Sequence, residues 1–122
     1  MKNFINISDL SNSDLRSIID GAKQRKLERG KKPNSQPDED LPIKGKTMIM
    51  FFSKPSTRTR ISFDLAVKQL GGSSIILNQD EIHYGKGDET IKDTAKVLSQ
   101  YGDILMIRTD SHKDINEFKK YL

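Results

Sequence analysis

The fold of this chain is decided at residues 47–60, which read TMIMFFSKPSTRTR. The first six residues are apolar apart from the opening threonine, and a run of this length indicates a β-strand that is buried on both faces. A short polar loop with a proline follows, and the sequence after it has the spacing of a helix. The stretch therefore predicts a buried strand that leads directly into a helix, which is the unit of a parallel sheet.

The same alternation runs through the rest of the chain. Further apolar segments at 74–77 and 104–107 predict two more strands, and helical segments separate them. The predicted order is α, β, α, β, α, β, α, which favours the α/β class: an open parallel sheet flanked by helices on both faces. Because three strands leave apolar surface uncovered, we expect residues 1–122 to be one incomplete domain that a further strand and a second domain would complete.

Capping residues and apolar spacing mark the four predicted helices. Their predicted boundaries are Ser11 and Gly30 for the first helix, Gly71-Gly72 for the end of the second, Asp88 and Gly102 for the third, and Asp110 or Ser111 for the start of the fourth. The predicted apolar faces are Leu15, Ile18, Ile19 and Ala22; Phe63, Ala66, Val67 and Leu70; Ile91, Ala95 and Leu98, with Thr94 and Val97 alongside; and Ile115 with Phe118.

Composition narrows the class of protein. The 122 residues carry 21 Lys+Arg against 17 Asp+Glu and no cysteine, which excludes disulfides and thiolate metal sites within them. No apolar run approaches the roughly 20 residues that a membrane span needs, and the first residues do not form a signal peptide. We therefore expect a cytoplasmic protein with no membrane partner. The basic run at 23–32 has no interleaved aromatic residues, so we also expect no nucleic acid partner.

The loop after the first strand has the composition of an oxyanion site. Residues 56–60 supply three hydroxyls and two guanidinium groups at the beginning of a helix, where free backbone N–H groups and the helix dipole attract anions. Arg108 follows the third strand at the same edge of the predicted sheet. Ligands of open α/β sheets bind beyond the carboxyl ends of the strands, so we expect one small anion, most simply a phosphate, between these segments.

A simpler interpretation is that the hydroxyls only cap the helix and the arginines are solvated. Five consecutive residues of this kind directly after a buried strand favour the binding site. The segment has no G-x-x-x-x-G-K-[ST] pattern and no glycine-rich approach to a nucleotide. The predicted ligand is therefore a small phosphate compound.

Residues 51–64, FFSKPSTRTRISFD, resemble the signature of the aspartate/ornithine carbamoyltransferase family. The resemblance continues at 70–72 (LGG), at 89–98 (ETIKDTAKVL) and at 106–109 (MIRT), so it covers nearly the whole chain. Asp64 stands where the family usually has Glu. Lys54-Pro55 and the Arg-Thr pair at 108–109 resemble the ornithine branch, whereas the aspartate branch tends to carry Glu-Pro and Arg-His-Pro.

The resemblance implies a carbamoyl-phosphate-binding domain that requires no metal or cofactor. Its implied substrate-binding residues are Ser56, Thr57, Arg58, Thr59, His83 and Arg108. Among these, Arg58, Thr59 and Arg108 would be catalytic, since they would hold the phosphate or the carbamoyl oxygen as charge develops. Arg60 would orient the loop without touching the substrate.

His83 lies in the loop before the third helix. In the family this loop reaches the site of a neighbouring subunit, which implies a homotrimer in the full-length protein. The alternative is that His83 is simply exposed.

The implied reaction is transfer of the carbamoyl group from carbamoyl phosphate to L-ornithine, which gives L-citrulline and phosphate. The resemblance places the ornithine-binding residues, and a His-Pro-x-Gln loop that completes the carbamoyl site, beyond these 122 residues. Two alternatives therefore stay open: a carbamoyltransferase for aspartate or another amine, and a non-catalytic fragment that joins full-length subunits.

Overall fold

The structure is a computed structural model, and it describes residues 3–79 and 90–122. The chain divides into two compact units, Met1–Pro33 and Asn34–Leu122. The first unit is helical, and the second contains the sheet with the predicted oxyanion site.

The first unit consists of a short 3-10 helix, Ile7–Asp9, and helix α1, Asn12–Arg29. The Ser11 hydroxyl accepts a hydrogen bond from the backbone N–H of Asp14 (3.1 Å) and donates one to the Asp14 carboxylate (2.7 Å). The helix ends at Gly30, whose φ of 52° is easily adopted only by glycine. The predicted boundaries of α1 are therefore confirmed.

The second unit is an open parallel sheet with helices between its strands. Its elements are β1 (Thr47–Phe52), α2 (Thr57–Gln69), β2 (Ser73–Asn78), α3 (Ile91–Tyr101), β3 (Ile104–Arg108) and α4 (His112–Lys119). The strand order is β2-β1-β3, and β1 is parallel to both neighbours. The predicted fold class and all three predicted strands are confirmed.

Strand β1 is the buried centre of this unit. Its last four side chains, Ile49, Met50, Phe51 and Phe52, are all at most 3% exposed. Because side chains alternate along a strand, two of these face each side of the sheet. The sequence prediction of a strand buried on both faces is correct.

One face of the sheet carries the main apolar core. Ile49 and Phe51 pack there against Ala95 and Leu98 of α3 and Phe118 of α4. The rings of Phe51 and Phe118 lie 6.4 Å apart between centroids and are tilted by 41°, a favourable aromatic geometry.

The strand order places α2 on the opposite face of the sheet. The chain moves from β1 to β2 in one direction and then returns past β1 to β3. Because parallel crossovers are right-handed, this reversal puts α2 and α3 on opposite faces. The predicted arrangement with helices on both faces follows from this topology.

Three details of the helix predictions were wrong. No residue of the predicted apolar face of α1 is buried, and Ile18 and Ile19 are exposed. On α2 only Val67 of the predicted apolar face is buried, whereas Phe63 and Ala66 are exposed. Helix α3 begins at Ile91 with Thr90 as its cap, and the predicted cap, Asp88, lies outside the described residues. The α2 prediction failed because apolar spacing shows which residues share a helix face but not whether another element covers that face. The α3 helix begins after Thr90 because Thr90 and Asp93, three residues apart, form the hydrogen bonds of a local cap.

Gly102 ends α3, as predicted, and lies close to β1. A Cβ atom at this position would lie 2.8 Å from the Cδ1 atom of Ile49 and 3.4 Å from the carbonyl oxygen of Leu98. Its φ of −111° is accessible to other residues. A larger residue here would therefore have to displace the end of the Ile49 side chain, but it would not strain the backbone.

Two carboxylates connect elements of the second unit. Asp64 on α2 accepts hydrogen bonds from Lys68 (2.8 Å) and from Ser74 of β2, and these contacts hold the pKa of Asp64 below its usual value. Asp103 accepts from the backbone N–H of Thr47 (2.9 Å) and from Lys46 (3.2 Å), which lowers the pKa of Asp103 in the same way. Asp64 thus fastens α2 to β2, and Asp103 fastens the beginnings of β1 and β3.

Replacing Phe118 by leucine tests the core. Because Phe118 is 1% exposed and packs on Phe51, we expect Phe118→Leu to lower the free energy of unfolding by about 1–2 kcal/mol, less than the roughly 3–5 kcal/mol for truncation to alanine. Urea unfolding measures this. Phe4→Leu, at a side chain that is 58% exposed, is the control. Equal effects of the two changes would contradict the packing described here.

The Asp64 contacts predict a pH-dependent contribution to stability. The pKa of Asp64 is lower in the folded chain, so its stabilisation is complete above the unfolded value of 3.8 and is lost as the pH falls through the folded pKa. We expect Asp64→Asn to destabilise the chain by about 1 kcal/mol at pH 7, with the difference from wild type shrinking as the pH falls below 3.8. Urea titrations at several pH values measure this, with Glu117→Gln as the control. A difference that does not shrink on acidification would contradict the assignment.

Candidate functional site

Two loops leave the sheet side by side at its carboxyl edge. The last residue pair of β1 and β3 is Phe52 with Arg108. The backbone N–H of Ser53 then donates to the carbonyl oxygen of Arg108 (2.9 Å), which continues the ladder by one bond. The loop at 53–56 and the loop at 109–111 therefore begin from fixed, neighbouring positions.

These loops diverge towards opposite faces of the sheet. The first loop enters α2, and the second enters α4, whose Phe118 belongs to the core on the α3 face. Helices α2 and α4 consequently lie on opposite faces of the sheet. Adjacent strands whose connections leave to opposite faces mark the point where open α/β sheets bind ligands.

The N-terminus of α2 differs from those of the other three α-helices among the described residues. Ser11, Thr90 and Ser111 each accept a hydrogen bond from the backbone N–H three residues later. Ser56 occupies the equivalent position of α2 but makes no such bond with its side chain. The interpretation that this hydroxyl only caps the helix is therefore wrong, and the first N–H groups of α2 remain without an acceptor from Ser56.

The side chains around this helix N-terminus are accessible. Thr57, Arg58 and Arg108 are exposed, while Ser56 and Thr59 are half-buried. Within residues 3–79 and 90–122, no side-chain hydrogen bond or ion pair involves the guanidinium group of Arg58 or Arg108. Two arginines, three hydroxyls and the N–H groups of a helix can together bind a small dianion by charge-assisted hydrogen bonds.

Arg60 interacts electrostatically with Asp64 of the same helix, α2. It lies one turn before Asp64, and its positive charge adds to the larger effects of Lys68 and Ser74 in lowering the pKa of Asp64. This position is compatible with the expectation that Arg60 orients the loop.

The structure thus brings residues 56–60 and Arg108 to one edge of the sheet. Their roles in binding and catalysis stay predictions. His83, the remaining predicted substrate-binding residue, lies outside the described residues, and its role also stays a prediction.

One contact at this edge was missed in the sequence. The ammonium group of Lys54 forms an ion pair with the carboxylate of Asp110. Each residue stands two positions beyond the last paired residues, Phe52 and Arg108. The sequence shows that both residues are charged and of opposite sign. It predicts their contact only once the register of β1 and β3 is known, because the register is what places them opposite each other.

The described part of the chain has neither a metal-binding cluster nor a membrane-spanning helix. It contains no group of three or more His, Asp or Glu side chains that could hold a metal ion. None of its helices is both long and apolar enough to cross a membrane.

Comparison with known proteins agrees with the resemblance seen in the sequence. The family described as "Aspartate/ornithine carbamoyltransferase, carbamoyl-P binding domain" matches residues 2–122. The ornithine carbamoyltransferase of Paracoccus denitrificans is 46% identical over 121 residues, which are 99% of this chain and 39% of that protein. This chain covers 37–39% of the length of eight such curated relatives.

Solved structures from both branches of the family are similar to this chain. The ornithine carbamoyltransferase of Pyrococcus furiosus superposes with a TM-score of 0.86 at 38% identity, over 98% of this chain and 36% of that one. The catalytic subunit of M. jannaschii aspartate transcarbamoylase gives a TM-score of 0.82 at 30% identity, over 99% of this chain and 39% of that one. The chain therefore belongs to the aspartate/ornithine carbamoyltransferase family, of which it carries the carbamoyl-P binding domain.

Proposed function

We propose that this chain is the carbamoyl-phosphate-binding part of an ornithine carbamoyltransferase. The observation that carries the proposal is the α2 N-terminus, which has no side-chain cap and lies at the sheet edge from which Arg108 also emerges. A site of this kind suits a small dianion with a planar group attached. Family membership supports carbamoyl phosphate as that dianion.

The phosphate lies at the beginning of α2 in this proposal. Ser56, Thr57 and Thr59 donate through their hydroxyls, and Arg58 donates through its guanidinium group. Arg108 reaches the phosphate from the β3 side and also donates to the carbamoyl oxygen. The positive end of the α2 dipole adds to the attraction for the dianion.

The chemistry that these groups assist is carbamoyl transfer. The amine nitrogen of the acceptor forms a bond to the carbamoyl carbon, the bond from that carbon to the phosphate oxygen breaks, and the proton lost by the amine passes to the leaving phosphate. Negative charge grows on the carbamoyl oxygen in the tetrahedral species and on the leaving phosphate. Arg108 and Thr59 stabilise the first charge, and Arg58 with the α2 N-terminus stabilises the second.

The choice of ornithine rests on several features. Lys54-Pro55 and the Arg-Thr pair at 108–109 resemble the ornithine branch, and the curated relatives are named ornithine carbamoyltransferase. Aspartate carbamoyltransferase is the second candidate, because the M. jannaschii aspartate transcarbamoylase has nearly the same fold over this region. The same proposal includes four further points: the domain boundaries 1–122, a homotrimer in the full-length protein, a cytoplasmic location and a role for His83 in binding the substrate.

Titration with a phosphonate analogue of carbamoyl phosphate tests the site. We expect selective amide shifts at residues 56–60 and 108 in NMR spectra, with sulfate as the control anion. Arg58→Gln and Arg108→Gln should each weaken binding about tenfold or more, because each removes charge-assisted hydrogen bonds. Arg60→Gln should have a smaller effect, and Arg16→Gln on α1 none.

A dispersed spectrum that does not respond at residues 56–60 would contradict the carbamoyl phosphate proposal. Equal weakening by Arg16→Gln would show only a general attraction of anions to a basic protein.

The chain alone should make no citrulline. It corresponds to 39% of the Paracoccus denitrificans relative, and carbamoyl transfer requires a bound and aligned amine as well as the phosphate site. A colorimetric citrulline assay with ornithine and carbamoyl phosphate checks this, with a full-length ornithine carbamoyltransferase as the positive control. Citrulline clearly above a heat-treated sample would show that these residues also bind the amine.

A further inference from the structure

We infer that the ion pair between Lys54 and Asp110 positions the two anion-binding loops, so that Lys54 and Asp110 are positioning residues for the phosphate site. This inference rests on the proposed function, because it concerns the same oxyanion site. It assigns a role to two residues that do not belong to the expected ligand set.

The pair is the outermost of three successive links between the β1 and β3 ends. The first is the strand pair of Phe52 with Arg108, and the second is the hydrogen bond from Ser53 N–H to the Arg108 carbonyl oxygen at 2.9 Å. The ion pair of Lys54 with Asp110 comes next and joins the loops where the backbone ladder has ended. Arg108 itself takes part in the first two links, and the third follows two residues later.

Asp110 is well placed to transmit this constraint. Its neighbours are both held, since the Ser111 N–H donates to the Thr109 hydroxyl (3.1 Å) and the Ser111 hydroxyl caps α4 by accepting from Asp114 N–H (3.2 Å). On the other side, Pro55 follows Lys54 directly and restricts the loop that leads to Ser56. Each partner thus sits in a short loop with little freedom of its own.

A positioning role and a purely electrostatic role of Asp110 predict opposite effects of its removal on phosphate binding. Asp110 is an anion beside a site for an anion, so charge alone predicts that removing it strengthens phosphate binding. If the pair holds the loops in register, removing Asp110 weakens binding even though the site becomes more positive. The side chains are 44% and 73% exposed, and exposed pairs contribute little to folding, so the overall stability should hardly change in either case.

The experiment compares dissociation constants of a phosphonate analogue of carbamoyl phosphate for six forms of the chain. These are the wild type, Lys54→Met, Asp110→Asn, the charge swap Lys54→Asp with Asp110→Lys, and the two separate control variants Lys44→Met and Glu117→Gln. We expect each single change at the ion pair to weaken binding at least threefold, the swap to restore it to within twofold, and the controls to match the wild type. Urea unfolding midpoints should agree for all forms.

Amide hydrogen exchange gives a second measurement that needs no ligand. Exchange at the Ser53 N–H should accelerate several-fold in Asp110→Asn and return in the swap. The Asp103 N–H, which donates to the Thr47 carbonyl oxygen at the other end of the strands (2.9 Å), should be unaffected.

Equal or tighter binding by Asp110→Asn would overturn the inference and leave the proposed function intact. A swap that binds as weakly as the single variants would also overturn it, because the two residues would then act separately. If the wild type does not bind the analogue, the proposed function itself fails, and the inference fails with it.

Discussion

The pairing of β1 on both edges is the constraint on which the rest of the second unit depends. A strand buried on both faces cannot leave its N–H and C=O groups to water, so each edge requires a partner strand. Strand β2 pairs along β1 from Thr47 to Phe52, and β3 pairs from Met48 to Phe52. Both partners run parallel to β1 and end level with Phe52, so the segments that follow the strands open at a single edge.

The candidate site follows from this backbone register more than from side-chain packing. Arg58 and Arg108 are exposed, and no described neighbour fixes their guanidinium groups. Their positions are set by the loops that carry them, and those loops begin at the last paired residues of rigid strands. A binding site of exposed side chains carried by loops on a fixed scaffold is a common arrangement in α/β proteins. It also explains why polar contacts between the loops, which touch no ligand, can matter for binding.

Local patterns predicted the elements well and the contacts between them less well. The continuous apolar run at 47–52 identified the central strand, because a run this short and bounded by polar residues is typical of a strand covered on both faces; its last four side chains are buried. The Ser11 and Ser111 caps were visible because their hydrogen bonds span three residues. The α2 face was mispredicted at Phe63 and Ala66, since spacing does not reveal whether a face is covered by another element.

The sequence by itself determined the fold class, the order of the elements and the chemistry available at residues 56–60, because these depend on interactions within a few residues of each other. The tertiary structure decided the strand order β2-β1-β3, the absence of a side-chain cap from Ser56 and the meeting of Lys54 with Asp110. Lys54 and Asp110 are 56 positions apart in the sequence. Contacts at that separation exist only after the strands have paired in one register, which local propensities do not specify.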